Sequence, residues 1–306
     1  MKKYVSIDIG GTAIKYGLVS EDGEILERRE METEASKGGP AILEKAIAIT
    51  QRYGETEKIS GICISTAGMV DVEKGEIFYA GPQIPNYGGT RFKAVMEERF
   101  SVPCEVENDV NCAGLAESVS GAAKGSSSSL TLTVGTGIGG CAVIHGQVYH
   151  GFCSSACEVG YMHMPGGSFQ DLGATSVLTR KTAEKKGDPV SAWNGRRVFE
   201  QAKRGDAVCN QMIEEMADAL GMGIANICYV LNPEVVVLGG GAMAQEAVLR
   251  GKIQRAIDKY LVPSMAGKLK LAFAVHRNDA GMLGAFYHFR AKHPEQWAEG
   301  PAAEQL

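Results

Sequence analysis

The chain has 306 residues, 44% of them hydrophobic and 22% charged, with a net charge of −5; this composition excludes a disordered chain and gives no basic surface for nucleic acid. The length suits two domains of about 100–200 residues each. The apolar stretch at the N-terminus is only about five residues long before an aspartate, short of a secretory signal. No stretch approaches the roughly 20 apolar residues of a membrane span, so the expectation is a cytoplasmic protein with no membrane partner. The densest basic cluster, Arg180-Lys181 with Lys185-Lys186, reads as a solvated helix end.

Taken in order, Tyr4–Ile9 alternates as a strand and breaks at Gly10-Gly11. A second strand, Lys15–Ser20, closes in the turn Glu21-Asp22-Gly23, and Glu24-Ile25-Leu26 opens a third, which makes an antiparallel meander. Residues 39–54 place Ile42, Leu43, Ala46, Ile47 and Ile49 at helical spacing, and Ile59–Ser65 is a buried strand ending at Ala67-Gly68. A short segment, Pro103–Val106, precedes Asn108-Asp109 and a helical run from Ala113. The Ser/Gly-rich stretch around 120–129 is a surface loop. Beyond it, Leu130–Val134 is a strand, Gly135–Gly140 a glycine-rich turn and Cys141–Ile144 a strand. The second half thus repeats the opening of the first, which predicts two related α/β domains facing each other across a cleft. Residues 206–231 form a long helix that stops at Asn232-Pro233; Val235–Leu238 is a strand running into Gly239-Gly240-Gly241; and a helix from Gly281 to about Ala291 precedes a polar tail. The expected domains are 1–118 and 119–284, with a C-terminal helix, 285–306, rejoining the first.

Three constellations carry chemistry. In Asp8-Ile9-Gly10-Gly11-Thr12, with Lys15 after it, glycines let backbone N–H groups approach an anion. Thr12 adds a hydroxyl, and Asp8 can hold magnesium through water; an ordinary hairpin turn remains the alternative. The run Gly135-Thr136-Gly137-Ile138-Gly139-Gly140 satisfies GxGxxG but is followed by a strand-like segment, so a dinucleotide-binding helix is excluded. The segment Glu107-Asn108-Asp109 places a carboxylate and an amide at a strand end, where they could serve as base and hydroxyl ligand, or as a helix cap. Eight cysteines are scattered without short regular spacing and read as reduced. Cys153, Cys157 and His163 could supply three metal ligands, one short of a structural zinc site.

The ordered set DIGGTAIK, ENDVNCAGLAE, LTVGTGIGG, EVGYM, VVVLGGG and NDAGMLGA, spanning about 4–290, resembles the ROK family of bacterial sugar kinases. The resemblance implies the two-domain α/β fold shared by sugar kinases, actin and heat-shock chaperone ATPases, an ATP and Mg2+ requirement, and a homodimer. It would put Asp8, Gly10, Gly11, Thr12, Lys15, Gly135, Thr136, Gly137 and Gly139 at the phosphates and magnesium, and Gly239, Gly240 and Gly241 against adenosine. Asp109 would be the catalytic base, with Gly68, Asn86, Asn108, Asp109, Glu158 and Tyr161 around the sugar. Zinc-bearing members have a histidine where this chain has Tyr161, then a cysteine cluster where it has Met164–Leu172 (MPGGSFQDL); a second sugar-binding glutamate falls at Gln170. Zinc is therefore not expected. The GYM segment resembles the β-glucoside kinases, with N-acetylmannosamine kinase the alternative.

Two other classes compete. A repressor of this family carries an additional helix-turn-helix domain, yet the first phosphate turn begins at residue 8. A chaperone-like ATPase would have no use for Asn108, Asp109 and Glu158 arranged for a small polyol. The expectation is a kinase acting on the 6-hydroxyl of a hexose or hexose derivative.

Overall fold

A computed structural model describes residues 1–297, and the last part of the expected helix 285–306 lies outside the described residues. The chain divides into two compact units. The first comprises Met1–Ala116, Gly151–Ser154 and the described residues from Asn278 to Trp297; the second comprises Glu117–His150 and Ser155–Arg277.

In the first unit, β1 (Lys3–Ile9), β2 (Ala13–Ser20) and β3 (Ile25–Glu32) form the expected meander. Helix α1 (Gly38–Gly54) then crosses over to β4 (Ile59–Thr66), which lies parallel to β1. A small hairpin, β5 (Met69–Asp71) with β6 (Glu76–Tyr79), and α2 (Phe92–Phe100) lead to β7 (Cys104–Asn108). The sheet order is β3-β2-β1-β4-β7. Alternation is lost in β4, whose last six residues are all buried, because both faces of a central parallel strand are covered. Val5, Ile7, Ile9, Ile62, Ile64 and Val106 pack with Ile42, Ala46 and Phe92 as one core.

Helix α3 (Asp109–Ser120) follows β7 directly, and the second unit repeats the plan. Strands β8 (Ser128–Val134), β9 (Ile138–Ile144) and β10 (Gln147–Val148) are antiparallel neighbours. Strand β13 (Val235–Gly239) lies parallel between β8 and β14 (Lys270–Phe273), giving the order β10-β9-β8-β13-β14. The intervening chain forms the short pair β11 (His163–Met164) and β12 (Gly167–Ser168), then α4 (Phe169–Gly173), α5 (Thr175–Lys186), α6 (Gly195–Lys203) and α7 (Ala207–Leu231). Asp206 caps α7 by accepting from the Cys209 N–H, and Asn232 ends it at φ 44°, the left-handed stop expected before a proline. Helices α8 (Glu246–Tyr260) and α9 (Pro263–Ala266) complete this unit, around a core that includes Leu130, Leu132, Phe169, Leu220, Ile224 and Ile253.

The two sheets share one plan, an antiparallel trio followed by two parallel strands, as the internal repetition predicted. Two expectations need correction. Strand β9 begins at Ile138, so Gly139 and Gly140 are paired strand residues opposite Thr133 and Leu132 and not turn residues. The last helix, α10 (Ala280–Lys292), matches the expected run from Gly281 to about Ala291 and not the longer span 285–306, and a 3-10 turn at Pro294–Trp297 follows it. Among the described residues, no helix is long and apolar enough to cross a membrane.

Candidate active site

In the first unit, the chain turns sharply between β1 and β2. The Gly10 N–H donates to the Ala13 carbonyl (3.0 Å), and Thr33 Oγ1 donates to the Gly10 carbonyl (2.6 Å). Gly11 and Thr12 stand exposed at the tip, and a Cβ added to Gly11 would meet open space. Packing within the protein therefore does not by itself require glycine there. Asp8, one strand residue before the turn, faces Lys15 across the β1–β2 pair. Ser65 Oγ donates to its Oδ1 at 2.7 Å, and burial pushes its carboxyl pKa up against the lowering effects of Ser65 and Lys15.

At the end of β7, Asn108 takes the capping role. Its Oδ1 accepts from the backbone N–H of Val110 (2.9 Å) and of Asn111 (3.1 Å), while its Nδ2 donates to the Gly68 carbonyl (2.9 Å) and to Asp109 Oδ1 (3.1 Å). Asp109 opens the helix, and its Oδ1 also accepts from the Val110 N–H. Asn108, Asp109 and Gly68 are thus gathered at one place. Gly68 has φ 98°, and Asn86, exposed on a loop, has φ 52°.

In the second unit, the β8–β9 turn is anchored from one side. The N–H groups of Thr175 (2.9 Å) and Ser176 (3.4 Å), at the start of α5, donate to the Gly135 carbonyl, and Ser176 Oγ donates to the Thr136 carbonyl (2.6 Å). A cavity of about 740 Å3 opens beside this turn, lined among others by Thr136, Ser176, Trp193, Arg196, Gly241 and Gln245. Its volume lies within the usual range for a small-molecule pocket. Of the expected adenosine glycines, Gly241 lines it, whereas Gly239 ends β13 and Gly240, at φ 100°, packs where a Cβ would stand 2.3 Å from the Val134 carbonyl oxygen.

A smaller hollow of about 300 Å3 joins the same turn to Glu158, Tyr161 and Gln170. Desolvation in this recess raises the Glu158 carboxyl pKa, although the side chain keeps an exposed edge. Among the described residues, no three His, Cys, Asp or Glu side chains gather closely enough to hold a metal, and Cys153 and Cys157 fall in different units.

Sequence reasoning missed Ser65, Thr175, Ser176, Trp193 and Arg196. Only Thr175-Ser176 carries a local signal, as hydroxyl residues at a helix start; the others become neighbours of the site through folding alone.

A twice-repeated sheet with a glycine turn at each first hairpin defines the actin-like fold class in its sugar-kinase form. Residues 4–292 match the ROK family model, and the chain belongs to that family. It is 50% identical to an uncharacterized protein of Clostridium perfringens, over 95% of this chain and 98% of that one. It is 32% identical to a beta-glucoside kinase of Klebsiella pneumoniae, covering 94% of this chain and 96% of the relative. The solved structure of a ROK family glucokinase from Streptomyces griseus, in complex with glucose and AMPPNP, superposes with a TM-score of 0.81 at 25% identity, covering 92% of this chain and 97% of that one. In class, the chain is a sugar kinase.

Proposed function

We propose that the chain transfers the γ-phosphoryl group of ATP to the 6-hydroxyl of a hexose or β-glucoside, with Asp109 as the base. The observation that carries this reading is the division of labour at the start of α3. Asn108 accepts from the N–H groups of Val110 and Asn111, and Asp109 Oδ1 shares the first of these, so the cap is made without needing the carboxylate. Asn108, Gly68, Asn86, Glu158 and Tyr161 would hold sugar hydroxyls. The two glycine turns would receive the polyphosphate on backbone N–H groups, and the 740 Å3 cavity would take the adenosine.

The residues present also fit magnesium. One carboxylate, Asp8, lies in a recess beside an open backbone turn, which suits a cation held by one or two carboxylates, phosphate oxygens and waters. Magnesium bound there would neutralise polyphosphate charge. Asp109 would accept the proton as the sugar oxygen bonds to phosphorus and the bond to ADP breaks. Zinc has no part in the reading. Resemblance to the Klebsiella enzyme supports a β-glucoside as a substrate to test.

Asp109→Asn tests the assignment. Removing a general base typically costs on the order of 10²–10⁴ in rate, whereas Asn and Asp cap helices about equally well. With saturating ATP and β-glucoside, turnover of the folded variant is expected to fall by at least about a hundredfold, with sugar affinity falling less. Retention of more than about a tenth of wild-type turnover would assign Asp109 to structure alone.

A further inference from the structure

Glu107 is 1% exposed, immediately before the capping residue. A carboxylate so deeply buried needs partners for both oxygens. Its Oε1 accepts from the Asn108 backbone N–H (2.8 Å) and from Asn111 Nδ2 (3.0 Å). Both donors belong to the start of α3, on either side of Asp109. Its Oε2 lies 3.5 Å from Nδ1 of His288, which is itself buried at 5% exposure in the middle of α10. A proton on Nδ1 would let the imidazole donate to that oxygen. His288 sits between Tyr287 and Phe289 in a helix whose residues Ala280 through Phe289 are all buried, a place where an apolar side chain would normally pack without desolvation cost.

We propose that Glu107 and His288 form a positioning pair for Asp109. One carboxylate oxygen grips the first turn of α3 at two points, and α10 fixes the carboxylate from behind through the imidazole. Neither residue is a catalytic residue; each acts by holding the Asp109 carboxylate in line with the hydroxyl. Displacement of a reacting group by about 1 Å can cost on the order of a hundredfold in rate, so a small rotation of this turn registers in turnover. The proposal rests on Asp109 being the base.

The test compares His288→Leu, His288→Asn and His288→Gln with wild type and Asp109→Asn, by kcat, KM for sugar and for ATP, and thermal midpoint. Asn places an amide N–H near the position of Nδ1, Gln places it nearer Nε2, and Leu offers none. The expected result is a kcat lower by about tenfold or more for Leu and Gln, recovery to within about threefold of wild type for Asn, and a KM for ATP unchanged within about twofold. If Leu does not fold, Asn and Gln decide between themselves. A Leu variant with wild-type kcat, Asn impaired as much as Gln, or losses that merely follow the thermal midpoint would overturn the proposal. Should Asp109→Asn keep its turnover, the assignment of the base fails, and the positioning role with it. If Asp109→Asn is inactive while the His288 variants are not, only the positioning role fails.

Discussion

At the scale of single residues, Gly281 at the start of α10 leaves no room for a side chain beside Asp8. A Cβ on Gly281 would stand 2.2 Å from Asp8 Cγ and 2.3 Å from its Oδ1, so the first turn of α10 and the carboxylate share a space only glycine leaves open. Gly281→Ala must therefore move either the helix or the carboxylate. Overpacking of this kind typically costs about 1–3 kcal/mol of stability. If Asp8 serves the magnesium–polyphosphate group, the folded variant is also expected to lose about tenfold or more in affinity for magnesium–AMPPNP, read by calorimetry. An unchanged affinity would remove Asp8 from that role. Asp8 itself was legible in the sequence as a carboxylate at a strand end before a glycine turn. The need for glycine at 281 was not, since it arises from a contact between residues more than 270 positions apart.

At the scale of elements, periodicity and punctuation carried most of the reading. The first meander, the helix at 206–231 and its stop at Asn232-Pro233 follow from alternation, apolar spacing at three and four residues, and a left-handed cap. The glycine run at 135–140 was read as a longer turn than it is, because glycine signals both a turn and a close approach. Gly140 is in β9, where a Cβ would stand 2.7 Å from the Cys157 carbonyl oxygen. Gly137 differs again. It does not have a positive φ, and a Cβ on it would meet the far end of the Gln170 side chain at 2.8 Å, a group that can swing aside. Gly137→Val is thus expected to fold, with a stability loss of no more than about 1–2 kcal/mol. Its affinity for AMPPNP should fall, since the branched side chain enters the space beside the backbone N–H groups, while sugar affinity stays within a few-fold. Equal nucleotide affinity in variant and wild type would show that this turn does not cradle phosphate.

At the scale of the whole molecule, each unit carries its own sheet and its own apolar core, so a ligand can order one without the other by binding only there. The duplication was legible because both halves open with a strand, a glycine turn and a strand. The large cavity was not, because it collects the β8–β9 turn, the start of α5, the segment around Trp193–Gly195 and the residues after Gly240, four stretches with no common local signature. All of these belong to the second unit. If the cavity is the adenosine site, AMPPNP at about 100 times its dissociation constant adds about 2.7 kcal/mol to the stability of whatever must be folded to bind it. Amide hydrogen exchange should then slow at residues 135–137, 175–179, 193–199 and 240–245 on adding magnesium–AMPPNP. A β-glucoside alone should leave 175–179 and 193–199 at their free rates, because sugar contacts are assigned elsewhere. Protection by AMPPNP that bypasses the Thr175–Thr179 and Trp193–Phe199 segments would place the adenosine outside this cavity, and leave Gly241 and its neighbours as the packing of a helix start.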